Sequence, residues 1–160
     1  MREARMRLGL ISDTHGLLRP EVFEYFDGVD QILHAGDIGP PDILVELEAV
    51  APVTAVFGNT DGFDIRARVP ETAVLEIEGL RIRVVHGHQH GSPKPDVLRA
   101  AYPDADVIVY GHTHRALVDR SEGRLVINPG AAGPVRFNLT PSIALLDLSA
   151  GRAEVRILEI

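Results

Sequence analysis

The chain has 160 residues, a formal net charge of −7, 45% hydrophobic residues and no cysteine. This length fits a single domain with a sizeable core, and the absence of cysteine excludes disulfides and thiolate metal ligands. The acidic balance argues against broad nucleic-acid binding, and no apolar run is long enough to cross a membrane. The absence of cysteine is compatible with a cytoplasmic protein, which is the location we expect.

The first part of the chain alternates strands and helices after a short tail. We expect residues 1–5 to form a frayed tail and residues 6–160 to form one domain. Strands are predicted at 7–11, 30–35 and 52–57, with amphipathic helices at 20–26 and 42–50 between them. This β-α-β-α-β order implies parallel strands joined by right-handed crossovers.

The second part of the chain is dominated by strands. Residues 63–70 are expected to be irregular, and a short helix is predicted at 95–102. Strands are predicted at 74–78, 80–85, 106–110, 116–119, 124–127, 142–148 and 152–158. A helix-rich first half and a strand-rich second half favour an α/β fold of two packed sheets with helices outside.

Side chains able to bind a metal follow five of the predicted strands. They are Asp13 and His15, Asp37, Asn59, His86, and the pair His112 and His114. Binding sites in open α/β sheets form at the carboxyl ends of the strands, so we expect these seven side chains to meet. Four imidazoles, two carboxylates and a carboxamide suit Mn²⁺, Fe²⁺, Zn²⁺, Ni²⁺ or Co²⁺ better than Ca²⁺ or Cu⁺. Seven ligands exceed the needs of one ion but fit two ions about 3.5–4 Å apart, bridged by one carboxylate.

Five motifs resemble, in order, those of the calcineurin-like metallophosphoesterases, and especially their small single-domain phosphodiesterase branch. The motifs are Asp13-x-His15, Gly36-Asp37, Gly58-Asn59-x-Asp61, His86-Gly-His88 and Gly111-His112-x-His114. The resemblance runs from about Met6 to the end of the chain and implies a four-layer α-β-β-α sandwich of two mixed sheets. It assigns Asp13, His15 and His114 to one ion, Asn59, His86 and His112 to the other, and Asp37 to both.

The resemblance implies a phosphodiesterase that acts on small phosphodiesters, with Mn²⁺ as the expected metal. Two cations would lower the pKa of a bridging water, whose hydroxide would attack phosphorus in line without a protein nucleophile. A homodimer or homotetramer is left open, since a second subunit could complete an open site.

Two residues are candidate catalytic groups. Larger phosphatases of this superfamily use the His of a Gly-Asn-His motif as general acid, whereas this chain has Thr60 there, followed by Asp61. Asp61 could protonate a leaving group or orient water, or it could form an Asx turn with no catalytic role. We expect His86 to bind a metal and His88 to line the pocket; the alternative is that His88 is the ligand and His86 lines the pocket. Without the family histidine, good leaving groups should be favoured.

Further residues have structural interpretations. We expect His34 to be a core or ligand-supporting histidine, and His90 to be exposed in a loop. The segment 128–131 resembles a family loop that usually ends in Ser, and Ala131 there favours a structural turn. Arg136 is a candidate phosphate or dimer contact.

Two other functions compete with the phosphodiesterase. A small retromer scaffold of the same fold is largely non-catalytic, so the chain could be a metal-binding interaction subunit. Every ligand position is filled here, which favours the enzyme. Nucleases of the double-strand-break repair type are longer and carry Gly-Asn-His, which this chain lacks.

Overall fold

Two five-stranded sheets lie face to face between outer helices in the computed structural model, which describes residues 5–160. The strands are β1 Met6–Ile11, β2 Gln31–His34, β3 Val53–Ala55, β4 Thr72–Ile77, β5 Leu80–Val85, β6 Val107–Val109, β7 Leu117–Ser121, β8 Arg124–Asn128, β9 Ser142–Ser149 and β10 Arg152–Glu159. The α-helices are α1 Pro20–Tyr25, α2 Asp42–Glu48, α3 Phe63–Arg66 and α4 Pro95–Ala101, and a 3₁₀ turn covers His88–His90. Apart from Arg5, the predicted tail lies outside the described residues.

Both sheets are mixed. The first has the order β10-β9-β1-β2-β3, in which β1, β2 and β3 are parallel and β9 pairs antiparallel with both β1 and β10. The second has the order β4-β5-β6-β8-β7, with β5, β6 and β8 parallel and the two edge strands antiparallel. The predicted four-layer sandwich is therefore confirmed.

The alternation of side chains along each strand builds three apolar layers. In β1, Leu8 and Leu10 face the second sheet, whereas Ile11 packs with the residues of α1 and α2. Gly9 lies under the ring of Phe26, where a Cβ atom would come within 2.8 Å of a ring carbon. Glycine is therefore required there for α1 to pack onto the sheet. On the opposite outer face, Leu98 of α4 covers the second sheet.

The segment after β3 differs from its prediction. Residues 63–70 were expected to be irregular, but Phe63–Arg66 forms one helical turn. Ile65 is buried in the core of the first sheet, and Arg66 donates to the carbonyl of Asp61 at 2.7 Å. So short a segment has little helix-forming tendency of its own, and the burial of Ile65 against the core stabilises the turn. Within residues 5–160, no helix is both long and apolar enough to cross a membrane.

Candidate metal centre

The loops after β1, β2, β5 and β6 meet at one edge of the sandwich. The His112 backbone N–H donates to Asp13 Oδ2 at 3.2 Å and links the two sheets, and the Gly111 N–H donates to the His86 carbonyl at 3.0 Å within the second sheet. His86 Nδ1 lies 2.8 Å from the Ala35 carbonyl, which can only accept. Nδ1 must therefore carry a hydrogen, so Nε2 is the ring atom that a metal would bind in place of a proton.

One group of ligand atoms comes from Asp13, His15 and His114. Asp13 Oδ1 lies 3.5 Å from His114 Nε2 and 3.9 Å from His15 Nε2. The three residues offer atoms within 4.8 Å of one another, and the two imidazole rings are 5.4 Å apart. One carboxylate and two imidazoles at this spacing can bind a first-row divalent ion.

A second group comes from Asp13, Asp37 and His86, whose donor atoms also lie within 4.8 Å of one another. Asp37 Oδ2 is 3.2 Å from His86 Nε2 and 3.8 Å from His15 Nε2, so this oxygen lies between the two groups. Burial acts against both charges, but the contact between the two side chains lowers the pKa of Asp37 and raises the pKa of His86. Both carboxylates therefore lie within 4 Å of the Nε2 atoms of His15 and His86.

The remaining predicted ligands flank these groups. The His112 ring is 5.2 Å from the His86 ring, and His88 lies 5.5 Å from His86 and 6.5 Å from His112. Asn59 is exposed in the turn between Gly58 and Thr60, beside Asp37. The structure therefore brings six of the seven predicted ligands together, either through their ligand atoms or through contacts between their rings. The seventh, Asn59, is exposed in the neighbouring turn.

Each carboxylate uses one oxygen for the protein and presents the other to the cluster. Asp13 Oδ2 accepts from the Ser12 hydroxyl at 2.8 Å as well as from the His112 backbone. Asp37 Oδ1 accepts from the Thr60 backbone N–H at 3.0 Å. The oxygens that face the histidines are Asp13 Oδ1 and Asp37 Oδ2, as expected if hydrogen bonds orient the ligands of an ion.

The cluster holds most of the unsatisfied polar atoms of the described chain. Within residues 5–160, seven buried side-chain polar atoms have no hydrogen-bond partner, and five of them belong to this cluster. They are Asp13 Oδ1, His15 Nε2, His86 Nε2, His88 Nδ1 and His114 Nδ1. Buried polar atoms are almost always paired, so this concentration fits a site built for cations.

The electrostatics leave imidazole lone pairs available. Burial is the main cause that lowers the pKa of His15, His112 and His114, to about 4 for His114. These rings are therefore neutral near pH 7, the form that binds a metal. Burial likewise raises the pKa of Asp13 to about 7, which shows how poorly the protein alone compensates this carboxylate.

The backbone of the site is held in an uncommon conformation. Ten non-glycine residues within 5–160 have positive φ, and five of them are predicted ligands. The five are Asp13, His15, Asp37, His112 and His114. Left-handed backbone is uncommon for residues other than Gly, although Asn, Asp and His adopt it more often than the rest, and it is concentrated at functional sites. Close approach also matters at Gly111, where a Cβ atom would overlap Ser12 Oγ and contact Asp13 Oδ2.

Comparison with known proteins agrees with this geometry. The model of the calcineurin-like phosphoesterase superfamily domain matches residues 6–151. The chain belongs to this superfamily. A probable metallophosphoesterase of Methanothermobacter thermautotrophicus is 37% identical to this phosphoesterase, over 96% of the chain and 92% of the relative.

Solved structures share the fold of this phosphoesterase. A novel archaeal phosphodiesterase is 29% identical, with a TM-score of 0.76, over 96% of this chain and 100% of that one. Vacuolar Protein Sorting 29 from Cryptosporidium parvum has a TM-score of 0.82 at 24% identity, with 98% of each chain covered. The second likeness concerns the fold alone. Membership in the superfamily supports phosphoesterase activity and dependence on divalent metal ions.

Asp61 has a structural environment. Its carboxylate accepts three backbone N–H groups, from Ile38 at 2.9 Å, Gly39 at 3.2 Å and Gly58 at 2.9 Å. These bonds tie the loop after β3 to the loop after β2, which carries Asp37. Of the two interpretations left open by the sequence, the geometry favours the structural turn over the catalytic acid.

Three other predicted residues have defined surroundings. Both ring nitrogens of His34 are hydrogen-bonded, as expected for a core histidine that supports the ligands. The Asn128 side chain donates to the Gly111 carbonyl at 3.2 Å and accepts from the Gly130 N–H at 2.9 Å, as a structural turn requires. The expectation for His90 was wrong, because it is half-buried and bonded to the Tyr102 hydroxyl at 3.0 Å. A tyrosine twelve residues away gave no local signal of that contact.

Proposed function

We propose that this phosphoesterase is a phosphodiesterase of small phosphodiesters that depends on two divalent metal ions, with Mn²⁺ as the expected metal. The observation that supports it is the pair of overlapping ligand groups, in which Asp13 Oδ1, His15 Nε2 and His86 Nε2 are buried without a hydrogen-bond partner among the described residues. The likeness to an archaeal phosphodiesterase at 29% identity supports a diester over a monoester.

The proposed ligands divide between two ions. Asp13, His15 and His114 would hold one ion, Asn59, His86 and His112 the other, and Asp37 both. When bound, two divalent ions supply an activated water and neutralise charge on the phosphate oxygens. The protein fixes the ligands in place: the Ser12 hydroxyl and the Thr60 N–H orient the carboxylates, and the Ala35 carbonyl orients His86.

We propose that His88 lies nearest to the leaving group of the substrate. Its Nδ1 is buried without a partner among the described residues, and its ring lies beside those of His86 and His112. Burial lowers the pKa of His88, so it is mostly neutral at pH 7 and a scarce proton donor. Because Asp61 is occupied by backbone donors, we expect aryl esters, whose leaving groups need no proton, to react faster than alkyl esters. Equal rates for both would contradict this assignment.

The test is hydrolysis of bis-p-nitrophenyl phosphate by metal-stripped protein to which Mn²⁺, Ni²⁺, Zn²⁺ or Mg²⁺ is returned. The Asp37→Asn variant keeps an amide that tolerates the left-handed backbone but removes the bridging charge. The Asp147→Asn variant is the control, because Asp147 pairs with Arg7 at the start of β1, at the other end of that strand.

We expect metal-dependent turnover that Asp37→Asn reduces at least about 100-fold and Asp147→Asn leaves within about twofold. Stoichiometric metal binding without turnover of any diester or monoester would contradict the phosphodiesterase and favour a non-catalytic interaction subunit. The homodimer or homotetramer stays a prediction, which sedimentation equilibrium would test.

A further inference from the structure

A loop at residues 133–140 is anchored to the backbone of the metal-binding turn. The N–H groups of Ala132 and Gly133 donate to the carbonyls of Ser12 and Asp13, at 2.9 and 3.2 Å. The Arg19 guanidinium also donates to the Gly133 carbonyl, at 3.1 Å. The base of the loop is therefore fixed relative to the candidate ligands, and its tip has a defined position at the mouth of the site.

An aromatic side chain lies at that tip. The Phe137 ring is 5.9 Å from the His114 ring at an angle of 73°, an edge-to-face contact. Even so, 74% of Phe137 is exposed. Its φ is +57°, and Asn138 next to it has φ +56°, so the loop turns through two consecutive left-handed residues. This conformation is sterically costly for phenylalanine and holds its ring beside a ligand rather than in the core.

An unpaired cation precedes this ring. Arg136 is exposed, and its guanidinium forms no hydrogen bond or ion pair within the described residues. Arg136 directly precedes Phe137, whose ring contacts His114, so the guanidinium is carried by the loop that borders the candidate ligands. A free guanidinium at the edge of a phosphoryl-binding site is suited to a phosphate oxygen.

We propose that Arg136 and Phe137 form a substrate-recognition element, in which Arg136 binds a non-bridging phosphate oxygen and Phe137 stacks on a planar aromatic group carried by one ester arm. This inference rests on the proposed phosphodiesterase and narrows its substrates to diesters with an aryl or nucleobase arm. Stacking suits the observation that the Phe137 ring contacts His114 while 74% of the residue is exposed.

The test measures binding of non-hydrolysable ligands to Mn²⁺-loaded protein by isothermal titration calorimetry. Phenylphosphonate and ethylphosphonate share the anionic group and differ in the planar ring. We expect the wild-type protein to bind phenylphosphonate about 5–10-fold more tightly. Phe137→Ala should abolish that preference, and Phe137→Tyr should restore it. Adenosine 5′-monophosphate compared with ribose 5-phosphate distinguishes a nucleobase arm from a simple aryl arm.

Two further variants separate the two parts of the element. Arg136→Gln should weaken both phosphonates about fivefold or more and leave their ratio unchanged. Phe63→Ala is the matched control, because Phe63 is 84% exposed and makes no ring contact with the site histidines within residues 5–160. It should keep the preference for phenylphosphonate.

The outcomes distinguish this inference from the proposed function. Equal binding of both phosphonates by the wild-type protein, or a preference that survives in Phe137→Ala, would overturn the inference while the phosphodiesterase stands. Failure of the Mn²⁺-loaded wild-type protein to bind either phosphonate would overturn the inference together with the proposed function.

Discussion

Acidification should destabilise the fold through His34, which is fully buried with both ring nitrogens hydrogen-bonded. Its Nδ1 accepts the Gly36 N–H at 3.1 Å, and its Nε2 lies 3.0 Å from Thr14 Oγ1. The Thr14 hydroxyl donates to the Ile38 carbonyl at 2.7 Å, so it accepts from His34 Nε2–H. This chain of bonds fixes a neutral His34, since a second proton on Nδ1 would face another donor.

The size of the effect follows from the pKa of His34. Burial, helped by the charge of His86, lowers this pKa from 6.5 to about 3. Since the unfolded chain binds the proton first, the stability that depends on neutral His34 is complete above about pH 6.5 and is lost as the pH falls toward 3. The full loss corresponds to about 5 kcal/mol, or about 1.4 kcal/mol per pH unit within that window.

The assay is urea unfolding, followed by circular dichroism, of metal-free protein between pH 7 and pH 4.5. The His34→Gln variant is the comparison, because Gln can still donate to Thr14 but does not titrate. Other histidines contribute to both proteins and cancel in the difference. Below pH 6 the wild-type protein should lose about 1.4 kcal/mol per pH unit more than the variant. Parallel pH dependences in the two proteins would refute the neutral buried His34.

Three further predictions concern the site and the core. Gly111→Ala should weaken Mn²⁺ binding at least about tenfold by calorimetry. Gly62→Ala is the control, because a Cβ atom there meets nothing within 4 Å, and equal affinities of the two variants would contradict the close approach at Gly111. Phe26→Ala should lower the free energy of unfolding by about 3–5 kcal/mol in urea, and a loss below 1 kcal/mol would show that Phe26 is not packed as described. Saturating Mn²⁺ at about 100 times its Kd should stabilise the fold by about 2.7 kcal/mol per site, and an unchanged melting temperature would exclude binding to the native state alone.

The architecture could largely be predicted because hydrophobic patterns and strand order carry it. The alternation at Leu8 and Leu10 and the β-α-β-α-β order fix three parallel strands, whose carboxyl ends lie at one edge. Asp13 and His15 directly follow one strand, and His112 and His114 directly follow another. The proximity of these two pairs could therefore be predicted without coordinates. The helical turn at 63–66 was not predictable, because it depends on the burial of Ile65 and on the hydrogen bond from Arg66 to the Asp61 carbonyl, which four residues of sequence do not show.

The finer features of the site depend on contacts between distant segments. No sequence pattern shows that Asp61 would accept donors from Ile38 and Gly39, more than twenty residues away. The left-handed backbone at the ligands is likewise not visible in the sequence, because Asp and His adopt it more often than most residues but only in a small minority of cases. Phe137 gave no signal either, because an exposed aromatic in a loop gains meaning only from its distance to His114.

The central claim, that one edge of the sandwich holds two ions, is tested most directly by anomalous diffraction from crystals grown with Mn²⁺. We expect two peaks about 3.5–4 Å apart, one bound by Asp13, His15 and His114 and the other by Asn59, His86 and His112, with Asp37 between them. A single peak, or manganese only at other acidic residues, would contradict it.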